Sequence, residues 1–207
     1  MVTPLQPVTE QRDFLQKGHY EAIDNELLQY DKDTRFPLMH LINGYAEEGE
    51  RIRVITLTPD SNSSRIHLEQ LREEVAELQT EKGFLCDGVE SVNLTYAGDV
   101  GTQLELFRKL LPYFEKDDTI YACLTFGVKP MPIAELMAVE YAYRVIDGTS
   151  IGCLIYGELD HSVDPPRMRV FDITSLIRLD EIVRMLAEQR IADPMSIINN
   201  VLSFGEE

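Results

Sequence analysis

The chain has 207 residues, 44% of them hydrophobic, enough for one full-sized core and too few for a second catalytic domain. A formal net charge of −17, from 36 acidic against 19 basic side chains, argues against duplex nucleic acid or an anionic membrane as the main partner. Three cysteines (Cys86, Cys123 and Cys153) without C-x-x-C spacing, no signal-type N-terminus and no bilayer-length apolar run predict a soluble cytoplasmic protein with no zinc site or other metal.

In chain order, Val2-Thr3-Pro4-Leu5 reads as a short first strand, followed by a polar loop with Gln6, Thr9, Gln11 and Arg12. A helix is predicted over 34–48, a strand over 51–58, a turn over 59–63 and an amphipathic helix over 65–82. In that helix Leu68, Leu71, Val75 and Leu78 share one stripe, away from Glu69, Glu73, Glu77 and Glu81. The runs 47–50 and 73–74 read as solvated acidic helix faces. A strand follows over 89–96. Thr102 and Glu105 have the spacing of a capping box for a helix through 115, with Leu104, Phe107, Leu110 and Leu111 facing a core. A central strand over 118–125, an apolar helix, strands over 151–156 and 168–173, and helices over 175–190 and 194–204 complete the chain.

Strands alternating with helices imply right-handed crossovers and therefore an α/β, Rossmann-like fold: a mainly parallel sheet flanked by helices, with C-terminal helices. One domain over 1–207 is expected, with its core over about 34–190; the helix over 191–207 would pack on the sheet or on a second subunit.

In such a sheet ligands collect beyond the carboxyl ends of the strands. Three ends carry small polar groups: Thr56 to Thr58, Thr125 to Lys129, and Tyr156-Gly157-Glu158, with Thr3 and Pro4 as a fourth. The richest is Leu124-Thr125-Phe126-Gly127-Val128-Lys129-Pro130-Met131-Pro132. Gly127 permits a sharp turn or close approach of a ligand, and Pro130 and Pro132 suit a helix entrance. Thr125 offers a hydroxyl and Lys129 a charge, beside a helix start that favours anions. An ordinary strand-to-helix turn with a surface lysine has the same features.

The segment Thr119-Ile-Tyr-Ala-Cys-Leu-Thr-Phe-Gly-Val-Lys-Pro-Met-Pro, with the apolar helix Ile133-Ala-Glu-Leu-Met-Ala-Val-Glu-Tyr-Ala, resembles the signature turn of CARF domains. These are the Rossmann-like sensors of type III CRISPR antiviral systems. Two further stretches carry the likeness: Arg35-Phe-Pro-Leu-Met-His-Leu-Ile-Asn before Arg51-Ile-Arg-Val-Ile-Thr-Leu-Thr, and Val170-Phe-Asp-Ile-Thr-Ser-Leu, similar to the Asp-x-Thr-x-Leu segment near the end of many such domains. It spans roughly 34–190, and the central turn is its most specific part. Val128 departs from the family's usual Thr or Phe before the basic residue, and the first strand is short.

The resemblance implies a homodimer holding a cyclic oligoadenylate, usually of four adenylates, across its two-fold axis. Thr125, Phe126, Gly127 and Lys129 would contact phosphate and ribose, with Thr3 and its neighbours supplying the loop after the first strand. Val128, Pro130, Pro4, Thr58, Tyr156 and Gly157 complete the candidate binding set. Two activities follow. A stand-alone ring nuclease would cleave the messenger without metal or cofactor, a ribose 2′-OH attacking its own phosphate while Lys129 neutralises charge and Thr125 or Thr3 orients the phosphate. A sensor would only bind, passing the signal to an effector partner. An unrelated flavodoxin-like α/β protein is the third reading.

Arg35 and His40 match the R-x-x-x-x-H spacing of HEPN ribonucleases, but Pro37 and the position at an early helix start favour a structural reading. His19, His67 and His161 share no metal-site spacing.

Overall fold

The alternation read from the sequence folds into one seven-stranded sheet. The structure is a computed structural model that describes residues 1–5, 17–94, 100–127 and 130–203. Its strands are β1 (Val2–Pro4), β2 (Tyr20–Ile23), β3 (Val54–Pro59), β4 (Val89–Leu94), β5 (Thr119–Cys123), β6 (Ser150–Asp160) and β7 (Arg167–Asp172). Between them lie α1 (Leu38–Tyr45), α2 (Asn62–Lys82), α3 (Val100–Leu110) and α4 (Pro130–Val145). The order across the sheet is β2-β7-β6-β5-β1-β3-β4. All neighbours run parallel except the β6/β7 pair, which is antiparallel.

The chain thus lays β1, β3 and β4 outward in one direction, then crosses back to place β5 and β6 on the other side of β1. That is the doubly wound Rossmann order, not the flavodoxin order, and it puts the topological switch point between β1 and β5.

Strand alternation assigns the two faces. Leu5, Val54, Val89, Cys123, Cys153 and Ile155 join Leu38, Leu41 and Ile42 of α1 and Leu68, Leu71, Val75 and Leu78 of α2 in one buried cluster. Their neighbours in sequence, Val2, Ile55, Leu57, Ala122 and Leu154, are also buried but lie outside that cluster. They belong to the opposite face, where α3 packs on α4 and β4, and α4 reaches β6. Ala134, Ala138 and Ala142 on the buried side of α4 are small enough to bring the helix close to its neighbours.

Several local expectations are corrected. The helix predicted over 34–48 is confined to Leu38–Tyr45, entered through Pro37. Thr102 lies inside α3, which begins at Val100, so it is not a capping residue. The inward leucines of α3 are Leu106 and Leu110, whereas Leu104 is exposed. Glu74 is not solvated: it is buried, and its carboxylate takes the Arg35 guanidinium at 2.7 Å and the Thr34 hydroxyl. The strand β2, which is not among the predicted elements, pairs with β7 at the sheet edge.

The chain divides into two compact units, Met1–Asp172 and Ile173–Glu207. The second consists of α5 (Thr174–Glu188) and α6 (Pro194–Ser203). Among the described residues no helix is long and apolar enough to cross a membrane.

Candidate functional site

At the switch point the carboxyl ends of β1 and β5 stand side by side, with β3 and β6 flanking them. The chain leaves β5 at Cys123 and reaches Gly127 in the left-handed region, at φ +95°, where a side chain would be strained. A β-carbon built there would lie 3.2 Å from Cβ of Pro4 and 3.2 Å from Cβ of Met131. Glycine therefore lets the β5 turn close against both the end of β1 and the first turn of α4.

Thr125 is held from both sides. Its Oγ1 accepts the Gly157 N–H at 2.8 Å and lies 3.1 Å from Cys123 Sγ. Gly157 permits this approach too, since a β-carbon on it would fall 2.4 Å from Pro37 Cγ and 3.1 Å from Thr125 Oγ1. Phe126 packs edge-on against buried Phe36, 6.4 Å between ring centres. The entrance to α1 therefore walls the site at Thr125, Phe126 and Gly157.

Thr3 is buried, and its hydroxyl points at the backbone carbonyls of Pro4 (3.3 Å) and Cys123 (3.4 Å). Thr58 is also buried and accepts a hydrogen bond from Ser91 Oγ of β4 at 2.8 Å. It sits one strand further out than Thr3. Tyr156 is exposed and, among the described residues, is joined to none of the others by a hydrogen bond or ring contact. The structure thus brings Thr3, Pro4, Thr125, Phe126, Gly127 and Gly157 together, with Pro130 opening α4 beside them, and leaves Thr58 and Tyr156 at the margin.

Val128 and Lys129 lie outside the described residues, as do Gln6, Thr9, Gln11 and Arg12. Lys129 follows Gly127 by two residues and immediately precedes Pro130. Because Pro130 and Pro132 carry no N–H, Met131 is the only backbone donor among the first three residues of α4. The helix start therefore offers few backbone donors.

A fuller backbone cradle stands at the carboxyl end of β3, two strands from β5, where the sequence predicts a turn. Ser61 caps the 21-residue α2 at the carboxyl end of β3, its Oγ accepting Ser64 N–H at 3.1 Å and lying 2.7 Å from Ser64 Oγ and 3.1 Å from Ser63 Oγ. The signal was present as Ser61-Asn62-Ser63-Ser64, three hydroxyls at a strand-to-helix junction.

Among the described residues, the titratable groups near the turn do not supply a nucleophile. Burial pushes the Cys123 thiol up to about 11, against opposing hydrogen bonds from Thr125 and Thr3. The Arg35/His40 pair is likewise structural. Arg35 is tied to Glu74; His40 is fully buried, with Nδ1 2.6 Å from the Leu28 carbonyl and its ring edge-on to Tyr20 and Tyr30. No phosphodiester can reach it there. At the opposite, amino-terminal end of the strands a cavity of about 390 Å³ is lined by Arg53, Glu115 and Asp118 among others, and Arg53 pairs with both of those carboxylates at 2.7 Å.

Set against protein-family models and against curated proteins, the chain matches none. What fold and site define together is an α/β protein with a Rossmann-like sheet and a glycine-lined switch point.

Proposed function

We propose that the chain binds a cyclic oligoadenylate, with cyclic tetra-adenylate the first choice, at a homodimer interface, and acts as a CARF-type sensor in type III CRISPR signalling. The observation that carries this reading is the meeting of Pro4 and Gly127 across the switch point, which places the turn ahead of Lys129 beside the end of the first strand. Ligands of doubly wound sheets lodge at that crevice. Phosphates would be met by Lys129 and by the α2 start at Ser61 to Ser64, which offer positive potential in an otherwise acidic protein.

A stripe along α4 supports the dimer. Ile133, Met137, Tyr141 and Val145 recur every four residues and are 38–62% exposed. An apolar helix face of this kind is a recurrent subunit contact, and a two-fold axis lets each chain hold half of a symmetric ring.

Binding without cleavage is favoured over ring-nuclease activity because the hydroxyls of Thr3 and Thr125 are both engaged within the protein. Cleavage would depend on Lys129 and on in-line geometry of the ligand's own 2′-OH. The test is to incubate the protein with cyclic tetra-adenylate in EDTA, follow its thermal transition and separate products by chromatography. A raised transition with intact ring is expected; linear products would establish the nuclease, and no shift would remove the oligoadenylate reading. Lys129→Ala should weaken ring binding about tenfold or more, the scale of one charge-assisted hydrogen bond.

A further inference from the structure

Glu135 is the most anomalous side chain among the described residues. It is fully buried on the inner side of α4, and neither carboxylate oxygen has a hydrogen-bond partner. Its neighbours on that side, Met131, Ala138, Val139 and Ala142, are 0–1% exposed. An ionised carboxylate held there would carry a desolvation cost that no hydrogen bond offsets, so the docked helix is the helix with Glu135 protonated.

The surroundings offer little to keep it charged. On the same face β1 presents Val2, β5 presents Ala122 and β6 presents Leu154, while the inward residues of α3 are Leu106 and Leu110. The Met1 amino group favours the charged form, but its own burial holds it down to about 6, and the other titratable group in range among the described residues is the Cys123 thiol, itself pushed up by burial. A glutamate at this depth in a helix cannot rotate to solvent past buried neighbours. To ionise, it must take the helix with it.

We propose that α4 is docked on the sheet by a proton: ionisation of Glu135 lifts the helix and with it the turn that closes the switch point. The link is direct. Met131, one helical turn before Glu135, lies against Gly127, so displacement of α4 removes one of the two surfaces on which the β5 turn rests. The site at the start of α4 is then intact only where Glu135 is protonated, and any anion bound there favours proton uptake by the same amount. The sign follows from burial, which raises the carboxyl well above its usual range: helix docking is full at low pH and is lost as pH rises toward the raised value.

The test uses the full chain without ligand, so that it stands whether or not the oligoadenylate reading does. Amide hydrogen exchange of peptides covering Pro130–Val145 is measured by mass spectrometry from pH 6 to 9 and corrected for the intrinsic pH dependence of exchange. In the wild type, protection of α4 should fall by up to about tenfold per pH unit, the slope of a single linked proton, while that of β3 and β5 holds. Glu135→Gln and Glu135→Leu should each abolish the slope, the second guarding against a Gln that itself loosens the core. A wild-type α4 whose protection does not change with pH, or a Glu135→Leu helix that keeps the wild-type slope, would overturn the proposal.

Discussion

At the scale of single residues, the turn after β5 is built from conflicting demands. Thr125 was singled out as a ligand contact, yet its oxygen already accepts the Gly157 N–H at 2.8 Å and so joins β5 to β6. Thr125→Val keeps the shape and removes the acceptor, leaving a buried amide unsatisfied. A destabilisation of about 1–3 kcal/mol is expected, read as a lower denaturant midpoint at unchanged slope. An unchanged midpoint would mean that the hydroxyl is free for a ligand after all. Lys129, in contrast, is assigned charge and not structure. The same contrast shows what the sequence could carry at this scale: Gly127 was legible as a turn glycine, but the burial of Thr3 and the capture of Arg35 by Glu74, across 39 positions, depend on packing that no local spacing encodes.

Among the elements, α4 has two apolar sides with different fates. One packs inward through Met131, Ala134, Ala138, Val139 and Ala142; the other exposes Ile133, Met137, Tyr141 and Val145. The sheet and α3 cover the inward side, and Phe107 of α3 meets Tyr141 edge-on at 6.0 Å, but Ile133, Met137 and Val145 stay 57–62% exposed. Met137→Glu should therefore convert a dimer to a monomer in sedimentation equilibrium while leaving the circular dichroism spectrum unaltered; a variant still dimeric would place the interface elsewhere. Periodicity identified α2, whose leucine and valine stripe has one clear period, while α4 was legible as a long apolar run behind the turn. It misjudged α3, where Leu104 and Leu106 compete for the inward position and Leu106 prevails. It missed β2, whose four residues include an outward Glu21 and whose partner β7 is distant in sequence, Tyr20 facing Met168. Nor could it give the direction of β7, which the β6–β7 connection sets as antiparallel.

For the whole molecule, charge and symmetry have to be reconciled. Each chain carries −17, so a dimer would hold twice that, and its association must rest on apolar contact against net repulsion. A polyanionic ring would bind such a dimer only at a local positive site, which places the burden on Lys129 from each chain and on the starts of α2. Two copies of one switch point facing each other make one pocket, not two. Isothermal titration of the protein with cyclic tetra-adenylate tests this most directly: saturation at one ring for every two chains is predicted, and either no heat of binding or saturation at one ring per chain would contradict it.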